Sequence, residues 1–301
     1  MDTLQDKLAA GRFVITAEIT PPVSFDRADL TAKAAPLKGL ADAVNVTDGA
    51  GARPHMAALA AAAILIADGI EPILQLTCRD RNRIGLQSDL MGAAALGIRN
   101  LLILRGDDPS AGDQPDAKPV FDLDARGLID TARRLRDDRE LPGGRKVAGT
   151  AAFFLGAADS PIDPPPGWEP KSLAAKVSAG AQFAQTQFCM DADVVARYTA
   201  RLAEHGLGDL KLIVGIAPLR SAKSARWMKD KLFGTIIPDA TVARLEAAAD
   251  PAAEGRTIAV DLIEQLSAIP GVAGVHIMAP NNDAAVPDVI NAARARVARL
   301  A

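Results

Sequence analysis

Short apolar runs alternate with amphipathic or alanine-rich stretches from one end of the chain to the other. The runs at 13–19, 43–47, 71–77, 101–104, 146–155, 183–190, 211–216 and 272–278 are rich in Val, Ile and Leu. Such runs fit strands buried on both faces. Helical patterns at 26–37, 54–68, 83–96, 122–138, 171–179, 192–205 and 287–300 separate or follow them, and two more, 221–233 and 238–265, lie between the seventh and eighth strands. Ser24 and Asp26 cap the first helix and Gly97 stops the third. A Pro- and Gly-containing loop fills 109–119, and the four prolines between 161 and 166 make the excursion to Trp168 too stiff for a helix. Strict alternation of strand and helix requires parallel strands, hence a doubly wound sheet or a closed barrel. Eight such units in 301 residues predict one (β/α)8 TIM barrel over residues 1–301.

Barrels bind their ligands at the carboxyl ends of the strands. The clearest end here is Leu101-Leu102-Ile103-Leu104, which runs straight into Arg105, Gly106, Asp107 and Asp108. The other ends supply Glu18, Thr47-Asp48, Gln75 to Thr77, Phe153-Phe154, Gln187, Pro218-Leu219 and Asn281-Asn282. Glu18 sits between Ala17 and Ile19. It is either an outward-turned or paired carboxylate, or a partly desolvated acid suited to proton donation. Asp107 either caps the turn after Gly106 or faces a ligand across the barrel from Glu18. Two acids also suit a divalent cation, but no histidine or third carboxylate joins them. His55 opens a helix, His205 closes one and His276 lies inside the last strand, so no metal is expected. Asp48-Gly49-Ala50-Gly51 reads either as a tight turn or as a place where backbone approaches a ligand. The chain has no Walker A or GxGxxG motif and no nucleophile triad pattern.

Composition narrows the partners. Apolar residues make up 49% of the chain, enough for a large core, while only 4% is aromatic. The net charge of −3 argues against nucleic acid and against anionic membrane. The basic cluster Arg133, Arg134 and Arg136 is offset by Asp130, Asp137 and Asp138. Cys78 and Cys189 lack metal-binding spacing and read as reduced thiols of a cytoplasmic protein. The first thirteen residues lack the apolar core of a signal peptide, and the run at 56–66 is too short to span a bilayer. The helix faces show no apolar stripe that sets an oligomeric state.

Six pieces in order carry a resemblance. They are Glu18 with Pro21-Pro22, Val46-Thr47-Asp48-Gly49-Ala50-Gly51, Gln75-Leu76-Thr77-Cys78, Leu104-Arg105-Gly106-Asp107-Asp108-Pro109, Lys176-Val177-Ser178-Ala179-Gly180-Ala181, and Thr186-Gln187-Phe188 with Asp191. Together they resemble the methylenetetrahydrofolate reductase family over nearly the whole chain. The resemblance implies reduction of 5,10-methylenetetrahydrofolate to 5-methyltetrahydrofolate by NADH or NADPH, normally through FAD. It makes Glu18 the general acid that protonates the leaving ring nitrogen. Asp107 becomes a carboxylate beside pterin and flavin that stabilises developing positive charge. Gln187 and Gln75 fall on the substrate side. Thr47, Asp48, Arg105, Gly106, Asp107, Phe153 and Lys176 fall on the cofactor side, with Lys176 the natural phosphate partner.

The chain also departs from the family pattern. Gln75 stands for a usual His, Asp48 for an aromatic, Ser172 and Ala175 for Asn and Arg, and Glu169 for Asp. Ala222 replaces a nicotinamide-stacking Phe, Cys189-Met190 replace aromatics, and Asn282 replaces an Arg. The excursion from Pro161 to Trp168 replaces a shorter loop. Two alternatives therefore stand beside the flavin route: direct hydride transfer from the nicotinamide to the folate, and a folate-binding or methyl-transferring barrel without redox chemistry.

Overall fold

The computed structural model describes residues 2–297. Eight strands, β1 (Val14–Ile19), β2 (Ala43–Val46), β3 (Pro72–Thr77), β4 (Asn100–Leu104), β5 (Phe154–Asp159), β6 (Phe183–Phe188), β7 (Lys211–Ile216) and β8 (Val272–Ile277), are hydrogen-bonded in sequence order. They close into a parallel barrel in which β8 returns to β1. The helices are α1 (Leu4–Ala9), α2 (Arg27–Ala34), α3 (Ala58–Ala67), α4 (Arg83–Ala95), α5 (Ala125–Asp137), α6 (Lys171–Ser178), α7 (Ala192–Glu204), α8 (Ala222–Lys231), α9 (Asp239–Ala247), α10 (Pro251–Ser267) and α11 (Val286–Arg296). The expected (β/α)8 architecture is the observed one. Among the described residues no helix is long and apolar enough to cross a membrane. Both cysteines are free and buried.

Side chains alternate along each strand, so every second residue faces the barrel axis. At the amino-terminal end these are Val14, Ala43, Ile73, Leu102, Phe154, Phe183 and Ile213, which form a core cluster of their own with Leu4 and Leu8 of α1. Phe154 and Phe183 stack there with centroids 4.8 Å apart. A larger core lies outside the barrel, between strands and helices.

The sequence reading missed α1. Thr3 and Asp6 form a capping box, and the Leu4 backbone N–H donates to Glu71 at 2.9 Å. Lys7 pairs with Asp42 at 2.8 Å. The helix thus lays two leucines across the floor of the barrel, each worth about 1.5–3 kcal/mol when buried. Its single turn and a half left no periodicity to read.

The fifth strand also differs from expectation. The apolar stretch around Ala151 to Ala158 is continuous, so apolarity alone sets no boundary. Residues 139–147 instead fold back on themselves, with Leu141 N donating to Arg145 O and Val147 N to Arg139 O at 2.9 and 2.8 Å. Pairing on β4 begins only at Phe154, opposite Asn100. The strand therefore ends at Asp159 rather than at Leu155. The long pattern over 238–265 is broken into α9 and α10 by Asp250, which caps α10, and by Pro251 at its first turn. Of the last predicted helix, residues 298–300 lie outside the described residues.

Candidate active site

A cavity of about 430 Å³ opens at the carboxyl ends of the strands. Glu18, Thr47, Asp48, Gln75, Arg105, Gly106, Asp107 and Gln187 all line it. Eight of the ten residues singled out from the sequence thus meet at one opening. Lys176 lines a neighbouring cavity. Phe153 does not belong: it is 2% exposed and lines an apolar hollow with Leu90 and Leu135 at the other end of its strand. Its placement at a ligand-facing end followed from starting the fifth strand too early.

Glu18 is the last inward residue of β1, and its side chain keeps 23% of its exposure. Gln75 Nε2 donates to its Oε2 at 2.9 Å. His276 Nε2 lies 3.5 Å from the same oxygen. His276 is 2% exposed and was passed over in the sequence as a strand residue. The signal was present in the pairing: Thr16 of β1 stands opposite His276 of β8, so both face inward with Glu18. Beneath it, His276 Nδ1 is 3.0 Å from Thr16 Oγ1, and Gln185 Nε2 donates to that hydroxyl at 3.1 Å. Gln185 in turn pairs with Asn45, whose Nδ2 donates at 2.6 Å. A polar ladder therefore leads from the apolar floor to the Glu18 carboxylate.

The turn after β2 is fixed by charge. Asp48 accepts from the Thr77 backbone N–H at 2.8 Å and from the Thr77 hydroxyl at 3.0 Å, and it is salt-bridged to Arg81. Its carboxylate is thus committed to the protein. Arg79, another residue the sequence reading missed, is 3% exposed. It forms a two-point contact with Asp80 at 2.7 Å and reaches the Gly49 carbonyl at 3.2 Å. Gly106 has φ +89°, and a Cβ there would lie 3.0 Å from Arg79 Cβ and 3.1 Å from Thr77 Cβ. Only glycine lets the chain turn so near β3. It delivers Asp107 to the rim, exposed and with no hydrogen bond or ion pair among the described residues. Arg105 lies over the Phe121 ring, 4.4 Å from its centroid. Gln187 donates to the Phe233 carbonyl at 3.2 Å and accepts from the Phe188 N–H at 3.0 Å, so its amide is held by the protein.

The neighbouring cavity, about 790 Å³, shares Arg105, Ala158, Asp159 and Ser160 with the first. Lys176 Nζ donates to the Ala158 carbonyl at 2.6 Å. Asp159, at the true end of β5, is hydrogen-bonded by the Tyr198 hydroxyl. Burial pushes the Asp159 carboxyl above the usual carboxylate range despite that bond. Burial, then the Asp159 charge, pushes the Tyr198 phenol up as well, which keeps it a donor. Trp168 packs on Tyr198 with centroids 5.5 Å apart.

A sequence profile described as methylenetetrahydrofolate reductase matches residues 3–294. The chain belongs to the methylenetetrahydrofolate reductase family. It is 30% identical over 185 residues to methylenetetrahydrofolate reductase 2 of Schizosaccharomyces pombe, covering 60% of this chain and 28% of that protein. It is 29% identical over 210 residues to 5,10-methylenetetrahydrofolate reductase of Salmonella typhimurium, covering 66% of this chain and 62% of that one. The chain thus spans less than two thirds of the length of these methylenetetrahydrofolate reductases. Among solved structures, an uncharacterized protein from Clostridium thermocellum that binds two copies of 5-methyl-5,6,7,8-tetrahydrofolic acid shares the fold. Its TM-score is 0.67 at 14% identity, over 97% of this chain and 98% of that one.

Proposed function

We propose that this chain reduces 5,10-methylenetetrahydrofolate to 5-methyltetrahydrofolate with electrons from NADH or NADPH. The observation that carries the reading is the pair of carboxylates at one cavity: Glu18, hydrogen-bonded by Gln75 and 3.5 Å from His276, and Asp107, exposed on the rim. The Clostridium thermocellum protein's methyltetrahydrofolate supports a folate as the ligand. Glu18 donates a proton to the ring nitrogen that leaves as the five-membered ring opens. Asp107 places negative charge where the resulting iminium carries positive charge, an arrangement that favours ring opening. Gln187 and Gln75 border the same space and orient the pterin edge.

The neighbouring cavity fits an anionic, aromatic cofactor such as FAD. Its volume lies within the range of cofactor sites. Its lining mixes the basic Arg105, Arg126, Lys171 and Lys176 with the acidic Asp124, Asp159 and Glu169, and Trp168, Ile162 and Leu173 give it an apolar wall. Lys176 uses one of three N–H donors on Ala158 and has two left for a phosphate. Arg105 and Lys176 would hold the anionic part, while Thr47, Gly106 and the turn at Asp48 would border the ring system. When bound, FAD supplies a two-electron relay between nicotinamide and folate.

Asp159 favours a second reading. It shares this cavity with Ser172 and Ala175, which stand where the family usually carries Asn and Arg; with those flavin contacts thinned, the hydride would pass from the nicotinamide directly to the folate. Both readings are tested by mixing purified protein with NADH, then NADPH, and 5,10-methylenetetrahydrofolate, with and without added FAD. Formation of 5-methyltetrahydrofolate only when FAD is bound or added supports the flavin route. Equal rates without any flavin support the direct route. Folate binding without nicotinamide oxidation under any condition would leave a non-redox folate barrel.

A further inference from the structure

Reduction of 5,10-methylenetetrahydrofolate by NAD(P)H consumes one solvent proton per turnover. On the reading above that proton leaves the enzyme through Glu18, so Glu18 must be refilled once in every turnover. Among the described residues His276 is the group beside the Glu18 carboxylate that can store a proton, with Nε2 3.5 Å from Oε2. We infer that His276 is the proton store of Glu18, a positioning residue that acts only through that carboxylate and rests on the functional reading above.

The argument is geometric. His276 Nε2 faces Glu18 Oε2 at 3.5 Å, and the imidazole is 2% exposed. Its other nitrogen is fixed by Thr16 Oγ1 at 3.0 Å. That hydroxyl accepts from Gln185 Nε2 at 3.1 Å and has the Val275 carbonyl at 3.4 Å for its own proton. In this arrangement Thr16 accepts from His276 Nδ1–H, which leaves Nε2 as the site that gains and loses a proton. Gln75, on the same carboxylate oxygen, is only a donor there and does not titrate.

Among the described residues Glu18 is the one ionisable side chain in contact with His276. Asp48, Arg79, Arg105, Asp107 and Asp159 line the same cavity and form no hydrogen bond or ion pair with it among the described residues. The floor of the interior is apolar, so no second titratable group faces the imidazole from below.

The step balances without any further reactant. Glu18 gives its proton to the folate nitrogen as the carbon–nitrogen bond of the ring breaks, and becomes a carboxylate. The imidazolium Nε2–H then transfers its proton to Glu18 Oε2, and His276 becomes neutral. After product release a solvent proton, carried in through water, returns His276 to the imidazolium. No electrons move in these steps.

The test uses His276→Gln, which keeps a hydrogen-bonding group near the Nε2 position but carries no exchangeable charge. The folate-reduction rate of the variant is expected about tenfold lower than wild type at pH 6 and within about twofold of it at pH 8, because an imidazole carries a proton to pass on only at the acid end of that range. Its KM for 5,10-methylenetetrahydrofolate and its NAD(P)H oxidation by an artificial acceptor stay near wild type. A uniform loss at every pH, or none, overturns the inference. A second measurement needs no turnover. Nitrogen-15 histidine NMR of the full chain follows the His276 titration in wild type and in Glu18→Gln. The curve moves in the variant if the two groups share a proton, and superimposable curves overturn the pairing. Glu18→Gln also separates the two ideas: full folate reduction by that variant sinks the functional reading, whereas an inactive Glu18→Gln beside an unchanged His276→Gln profile sinks only the proton store.

Discussion

The floor and the mouth of this barrel are made by the same strands, one or two pleats apart. β1 offers Val14 to the floor, Thr16 to the middle and Glu18 to the mouth. β6 offers Phe183, Gln185 and Gln187 in the same order. At the floor, stacked phenylalanines and two leucines of α1 exclude water. In the middle, Thr16, Asn45, Gln185 and His276 satisfy one another. At the mouth, Asp107 is exposed, makes no hydrogen bond or ion pair among the described residues, and feels the charge of Arg79. Stability is concentrated where polar groups are absent, and chemistry where they are incompletely paired.

Substitutions at the two ends should therefore fail in different assays. Glu18→Gln is expected to lower folate reduction by about a thousandfold, roughly 4 kcal/mol of transition-state stabilisation. Its thermal midpoint should stay near wild type, and its NAD(P)H oxidation by an artificial acceptor should survive. Loss of both half-reactions together would break the division of labour. Leu8→Ala at the floor is the mirror experiment. It should cost about 2–5 kcal/mol in denaturant unfolding, from lost burial and the cavity left behind, with turnover per folded molecule unchanged.

Asp107→Asn sharpens the mouth itself. Removing a charge that faces the developing cation should slow folate reduction by about a hundredfold, near 2.7 kcal/mol, with little change in stability because the exposed carboxylate makes no hydrogen bond or ion pair among the described residues. The smallest effect belongs to the wall between the cavities. Asp159 has a raised pKa through burial, so the folded protein binds its proton more tightly than the unfolded chain does. Stability contributed this way is present at low pH and declines as pH rises past the unfolded carboxylate value. Tyr198→Phe removes the donor to the ionised form and should cost about 1–2 kcal/mol at neutral pH, and less near pH 4. Equal losses at both pH values would show that the hydroxyl serves packing alone.

The comparison also explains what was readable from sequence. Strand ends such as Leu104-Arg105-Gly106-Asp107 announce themselves, because a buried run that meets charge must reach a surface. Glu18 was visible for the same reason. His276 was not, since one polar residue within Val-His-Ile looks like part of a strand until Thr16 is placed opposite it. Asp159 was lost with the boundary of β5, which pairing on β4 decides and composition does not. Asp48 was chosen as a cofactor contact, yet Thr77 and Arg81 take its carboxylate, and only tertiary contacts reveal that.

The floor laid by α1 has a kinetic meaning as well. With Leu4, Leu8 and the stacked phenylalanines filling the amino-terminal end, the interior offers no passage there. A ligand of the mouth cavity comes and goes on the carboxyl-terminal side, where that cavity adjoins its larger neighbour.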